Sequence, residues 1–177
     1  CVVIRSHGVS RAVMEALEKM GVEIVDATCP FVKKIHRIIS AAAENGQQPV
    51  IIGTRAHPEV QAIAGWCSAP LVFESPEEFA SWLADDAKRT EIPIRMVCQT
   101  TSTQNLWKKT CEIAKKECTN CEIFDTICKA TEMRQKEATT LAKQCDAMVV
   151  VGDARSSNTG RLADICRQYC KHVALVD

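Results

Sequence analysis

Glu23-Ile-Val-Asp-Ala-Thr-Cys29 comes back in the second half of the chain as Glu122-Ile-Phe-Asp-Thr-Ile-Cys128. The two copies share Glu-Ile-x-Asp-x-x-Cys, and each stands where a short apolar run gives way to a loop and then to an amphipathic stretch. Self-similarity of this kind indicates a duplicated structural unit whose equivalent loops lie around a pseudo-symmetry axis. The competing reading is a chance match of two strand–helix junctions. Agreement at the polar Asp and Cys, and not only in the apolar frame, favours duplication.

Outward from this repeat, short β-branched runs alternate with longer helical patterns. Strands are predicted at 2–4, 23–25, 50–52, 71–73, 94–97, 122–124, 147–151 and 172–176. Helices are predicted at 10–20, 31–45, 76–84, 103–117, 132–144 and 159–170, the first carrying Val13, Leu17 and Met20 at i, i+4 and i+7. Alternation of this sort with uniformly apolar strands gives an α/β fold of parallel sheets covered on both faces.

The 177 residues allow one large domain or two small ones. With 46% apolar and 25% charged residues, the chain has a globular composition. Twenty-two basic and 22 acidic residues cancel, which removes the electrostatic footprint of a nucleic-acid partner. No apolar run approaches the roughly 18–20 residues that span a bilayer, and no signal-peptide pattern opens the chain. The chain begins on Cys1 inside an apolar run, which reads as a fragment or a trimmed chain.

Polar residues collect after the predicted strands: Ser6-His7-Gly8-Val9-Ser10, Asp26-Ala-Thr-Cys29-Pro30, Gly53-Thr-Arg-Ala-His57-Pro58-Glu59-Val60, Gln99-Thr100-Thr101-Ser102, Asp125-Thr-Ile-Cys128 and Gly152-Asp-Ala-Arg-Ser156-Ser157-Asn158-Thr159. Open α/β sheets bind ligands at their strands' carboxyl ends, and Ser, Thr, Asn and Gly before a helix offer N–H and hydroxyl donors to an anion. Any one such loop is also an ordinary helix cap. His7 and His57 suit phosphate contact or a structural imidazole equally. Glu59, at the start of the helix following Pro58, is either a proton carrier or a surface carboxylate favoured by the helix dipole. His36 and His172 read as structural.

Eleven cysteines lie below the roughly 8–10% of a disulfide scaffold, and most read as small buried apolar residues. Cys118-Thr-Asn-Cys121 has C-x-x-C spacing but no second pair follows, so a zinc or thiol-redox module rests on half a motif. Cys29 and Cys128 occupy equivalent positions of the repeat, and soft thiolates brought together there suit an iron–sulfur cluster. Two thiolates are too few, which predicts a third ligand outside this chain. A metal-free α/β domain for a phosphorylated ligand is the third reading. No G-x-G-x-x-G follows a strand, so a dinucleotide is disfavoured.

Taken in order, Ser-His-Gly-Val-Ser at 6–10, Asp-Ala-Thr-Cys-Pro at 26–30, Gly-x-x-x-His-Pro-Glu-Val at 53–60, Gln-Thr-Thr at 99–101, Asp-x-Ile-Cys-x-Ala-Thr at 125–131 and Ser-Ser-Asn at 156–158 resemble the 4-hydroxy-3-methylbut-2-enyl diphosphate reductase (LytB/IspH) family over essentially the whole chain. The resemblance implies three small α/β units in pseudo-threefold arrangement around a central site, here residues 1–28, 29–125 and an incomplete 126–177. It implies a 4Fe-4S cluster with Cys29 and Cys128 as two of three thiolate ligands, and one iron left free as a Lewis acid. Glu59 then corresponds to the proton donor, and Thr100 to its helper in catalysis and substrate binding. His7, His57, Ser156, Ser157 and Asn158 correspond to residues that bind the diphosphate. The implied reaction is reductive loss of the allylic hydroxyl to give isopentenyl and dimethylallyl diphosphates in the non-mevalonate isoprenoid pathway, with ferredoxin or flavodoxin as electron donor. The implied location is the cytoplasm, or the plastid stroma if the source is a plant or alga. The family's first Cys and a C-terminal Ser loop have no counterpart, so this chain alone is expected neither to hold a complete cluster nor to turn over.

Overall fold

The computed structural model describes residues 1–153 and 155–177. The strands are β1 (Val2–Ile4), β2 (Ile24–Asp26), β3 (Gln48–Ile52), β4 (Leu71–Phe73), β5 (Ile94–Cys98), β6 (Cys121–Ile123), β7 (Ala147–Val151) and β8 (His172–Val176). The α-helices are α1 (Arg11–Lys19), α2 (Pro30–Glu44), α3 (Pro58–Ala64), α4 (Pro76–Ala84), α5 (Gln104–Glu117), α6 (Lys129–Ala142) and α7 (Ser157–Arg167). A 3-10 turn at Ala87–Glu91 joins α4 to β5. Each predicted strand is present, shifted by at most two residues at an end. Seven-residue α3 is the helix read after Pro58, and the 3-10 turn is an addition to the predicted set; both are too short to display a helical period.

All strand pairs are parallel. They form three sheets: β1–β2, the order β4–β3–β5–β6, and β7–β8. The α/β class read from the alternation is therefore the observed one. Two compact units are distinguished: residues 1–100 with 105–126, and residues 101–104 with 127–177. The first holds both β1–β2 and the four-stranded sheet.

In that four-stranded sheet Val50, Ile51 and Ile52 are fully buried. Consecutive strand residues point to opposite faces, so full burial of all three means cover on both. On one face Ile51 and Val97 pack against Ile35 and Ile39 of α2 and Val60 and Ile63 of α3. Fully burying each such side chain contributes about 1.5–3 kcal/mol. The core thus lies directly beneath the β3–α3 and β5–α5 loops, and α2 and α3 are fixed to the sheet by their apolar stripes.

The expectation of cover on both faces fails for β7–β8. Met148, Val150 and Val173 pack on Ala138, Ala142, Cys166 and Cys170, whereas Val149 and Val151 on the other face are 64% and 73% exposed. Among the described residues this packing comes from α6, α7 and the turn after α7, on one side. The outward residues are Val rather than polar, so no alternation in hydropathy marked the face.

Candidate functional site

The β3–α3 loop places His57 at the N-cap of α3, with Pro58 opening the helix. His57 Nδ1 accepts the Glu59 backbone N–H at 3.1 Å. A neutral imidazole accepting at Nδ1 carries its proton on Nε2, so the other edge is a donor. The His7 ring meets His57 edge to face, centroids 5.3 Å apart, and its Nδ1 is buried without a hydrogen-bond partner among the described residues. His7 is held by a turn in which Gly8 N–H donates to the Arg5 carbonyl at 3.0 Å.

Glu59 is turned inward and only 2% exposed. Its Oε1 accepts the Thr100 backbone N–H and its Oε2 the Thr100 hydroxyl, both at 2.7 Å. Hydrogen bonds to a carboxylate are short and about twice as strong as neutral ones, and here they also offset burial of the charge. The α3 N-terminus adds a favourable dipole. The two loops are tied together nearby, since Gln99 Oε1 accepts the Thr54 N–H at 3.1 Å. Gly53 makes room for this, because a Cβ there would lie 2.8 Å from Gln99 Cβ and 2.9 Å from its Oε1.

Cys29 is the N-cap of α2 and Cys128 the N-cap of α6. Their carbonyls accept the Lys33 and Glu132 N–H groups, each at 3.0 Å, and neither thiol makes a capping hydrogen bond. The repeat read from sequence is therefore repeated in local geometry: strand, loop, Cys cap, long helix. Cys29 stands in the first compact unit and Cys128 in the second. In the first copy, Asp26 Oδ1 accepts the Thr28 N–H at 2.9 Å and its Oδ2 pairs with Lys33 Nζ at 2.6 Å. Burial acts to raise the Asp26 pKa, but the bonds from Lys33 and Thr28 carry it down to about 2.

In the second unit Ser156 caps α7, its hydroxyl accepting the Thr159 N–H at 3.4 Å. The Ser157 hydroxyl lies 3.0 Å from that of Thr101 and accepts from Arg161 Nε at 3.4 Å. Asn158 Oδ1 is buried with no hydrogen-bond partner among the described residues. Two hydroxyls, an amide and a guanidinium thus stand together at one helix start, groups of the kind that can take an anion.

Among the described residues, no group of three or more His, Cys, Asp or Glu is arranged to hold a metal. Burial pushes the Cys121 thiol up to about 12 and that of Cys111 to about 11, and raises Cys118 as well. Thiols held so far above neutrality are poor nucleophiles and poor ligands.

The family model described as LytB protein matches residues 1–177. The chain belongs to the LytB family. This LytB chain is 40% identical over 170 residues to the 4-hydroxy-3-methylbut-2-enyl diphosphate reductase of Caldanaerobacter subterraneus subsp. tengcongensis, covering 96% of the chain and 57% of that protein. It is 37% identical over 177 residues to the reductase of the same name from Helicobacter pylori strain P12, covering 99% and 62%. A solved structure of (E)-4-hydroxy-3-methyl-but-2-enyl diphosphate reductase, described as the terminal enzyme of the non-mevalonate pathway, aligns with TM-score 0.67 and 30% identity over 99% of the chain and 62% of the structure. The Plasmodium falciparum E-1-hydroxy-2-methyl-but-2-enyl-4-diphosphate reductase aligns with TM-score 0.89, 99% and 55% coverage and 24% identity, a likeness of fold. This LytB chain spans about three-fifths of the curated relatives it matches. Membership favours the reductase reading over a Cys118/Cys121 module.

Of the residues singled out from sequence, His7 meets His57, Glu59 meets Thr100, and Ser156, Ser157 and Asn158 share one helix start. Gln99, Thr101 and Arg161 are polar partners to which the sequence assigned no role. Thr126 is another: its hydroxyl accepts the Cys98 N–H at 2.8 Å and donates to the Cys98 carbonyl. Each bonds across long chain separations or through a hydroxyl, which no local pattern displays.

Proposed function

We propose that this chain is the part of a 4-hydroxy-3-methylbut-2-enyl diphosphate reductase that carries the proton donor and most of the diphosphate contacts. The proposed reaction takes up two electrons and two protons, breaks the allylic C–O bond, and releases water with isopentenyl or dimethylallyl diphosphate. The names of the relatives support this reading, and the buried Glu59–Thr100 pair beside the His57 cap carries it.

The diphosphate is neutralised by donors. His57 offers Nε2–H, because its Nδ1 is engaged by Glu59 N–H, and His7 lies edge-on beside it. Ser156, Ser157 and Asn158 offer hydroxyl and amide hydrogens from the α7 start. Glu59, protonated at Oε2, donates to Thr100 Oγ1, whose own hydrogen then turns toward the departing hydroxyl. The Glu59 proton then passes to Thr100 Oγ1 as the Thr100 hydroxyl proton passes to the leaving oxygen, which leaves Glu59 as the carboxylate that accepts from Thr100, the role of a general acid acting through one hydroxyl.

Cys29 and Cys128 fit a soft cluster, since both stand at equivalent starts of long helices with thiols that make no capping bond. They would hold two corners of a 4Fe-4S cluster, with the third cysteine outside this chain. When bound, that cluster would pass on, one at a time, the two electrons that an external donor provides. Residues 1–28, 29–125 and 126–177 are proposed as the three arms in pseudo-threefold arrangement. A ferredoxin or flavodoxin is the proposed electron donor, and the cytoplasm, or a plastid in a plant or alga, the proposed location. Among the described residues no helix is long and apolar enough to cross a membrane.

The test is anaerobic turnover of the full-length protein with the allylic diphosphate and a one-electron reductant, analysing the organic products. Isopentenyl and dimethylallyl diphosphates are expected. Unchanged substrate from an iron-replete preparation contradicts the proposal.

A further inference from the structure

The loop that carries His7 rests on two aromatic rings, those of His36 and Trp66. The His36 imidazole, 5% exposed on the buried stripe of α2, lies on the Trp66 indole with centroids 4.9 Å apart and planes 16° from parallel. The Ser40 hydroxyl bonds the carbonyls of both residues, at 2.7 Å for His36 and 2.9 Å for Trp66, which fixes the α2 position against the end of α3. Trp66 Nε1 then donates to the Val9 carbonyl at 2.8 Å.

Gly8, the residue between His7 and Val9, has φ +72°, and a Cβ on it would lie 2.8 Å from His36 Cε1 and 3.0 Å from Thr28 Cγ2. The backbone therefore lies directly on the imidazole. His36 Nε2 finds no hydrogen-bond partner among the described residues. Burial lowers the ring's pKa to about 4, so it is uncharged near neutrality. A buried neutral ring with an idle nitrogen acts by shape and stacking. The same segment is pinned at its far end, where Arg11 N–H donates to the Gly65 carbonyl at 3.2 Å.

We infer that His36 and Trp66 are positioning residues for diphosphate binding: they clamp the Gly8–Val9 backbone so that the His7 ring is held against His57. The inference rests on the proposed role of His7 as a diphosphate contact.

The experiment measures the affinity of the anaerobically prepared full-length protein for inorganic diphosphate. Trp66→Phe keeps a stacked ring but removes the donor to Val9, and His36→Ala removes the platform. One lost neutral hydrogen bond corresponds to about threefold to tenfold in affinity, so Trp66→Phe is expected to weaken binding by that factor and His36→Ala by more. KM for the allylic diphosphate should rise in step, with kcat falling less. In a His7→Ala background neither change should weaken binding further, because both act through His7. Gly8→Ala should harm binding less when His36 is already Ala than in the wild type. If His36→Ala does not fold, Trp66→Phe with and without His7 decides the matter. His7→Ala leaving affinity unchanged overturns the diphosphate role of His7 and this inference with it. A weakened His7→Ala beside an unaffected Trp66→Phe, or additive losses, overturns the inference alone.

Discussion

Thr100 gives both of its donors, N–H and hydroxyl, to the two oxygens of Glu59. A Glu59→Gln change keeps the volume, removes the acid, and can set an amide N–H against a donor. Turnover should fall about 10²–10⁴-fold, the usual contribution of a positioned acid, with iron content unchanged. Iron loss in step with activity would instead make Glu59 a structural residue. Thr100→Val leaves one buried carboxylate oxygen unsatisfied and should cost about 1–3 kcal/mol of stability, read from denaturant unfolding. An unaltered midpoint contradicts the hydrogen bond. The identity of Glu59 as a candidate was legible from its place after His57-Pro58. Its inward orientation was not, because nothing local to residues 57–60 names a partner at position 100.

At the scale of elements, α2 joins the two loops of the site and the core. Its stripe of Val32, Ile35, His36, Ile39 and Ala42 is buried, and the helix itself was legible in sequence over 31–45. His36 read as structural, and the stack on Trp66 gives it a pH signature. Burial, opposed by Asp26 and reinforced by Lys33, lowers its pKa from 6.5 to about 4. The unfolded ring takes up a proton that the folded ring refuses, so this part of the stability is complete above pH 6.5 and declines as pH falls toward 4. The slope is about 1.4 kcal/mol per pH unit. Denaturant unfolding of wild type and His36→Gln at several pH values in that window should show a steeper acid loss in the wild type. Parallel curves contradict it. In the four-stranded sheet, Ile51→Ala should cost about 2–5 kcal/mol, as for other fully buried aliphatic truncations. The β7–β8 sheet shows where period reading ends. An apolar run such as Ala147–Val151 looks alike whether one face or both is covered, and the exposed Val149 and Val151 carry no polar mark.

For the whole molecule, the decisive signal was the Glu-Ile-x-Asp-x-x-Cys repeat, which appears again as two Cys-capped helices. The C-x-x-C pair was equally visible and pointed elsewhere. Spacing alone did not reveal that both Cys118 and Cys121 are partly buried, which raises their pKa values. In this proposal the cluster ligands belong to the repeat, at the starts of α2 and α6, and the C-x-x-C thiols do not take part. The most direct measurement is iron and acid-labile sulfide per protein after anaerobic reconstitution of the full-length wild type, Cys29→Ser, Cys128→Ser and the Cys118→Ser/Cys121→Ser double variant. A full cluster is predicted in the wild type and in the double variant, and a depleted one in each single variant. Full clusters in both single variants, with iron lost only from the double variant, would contradict it.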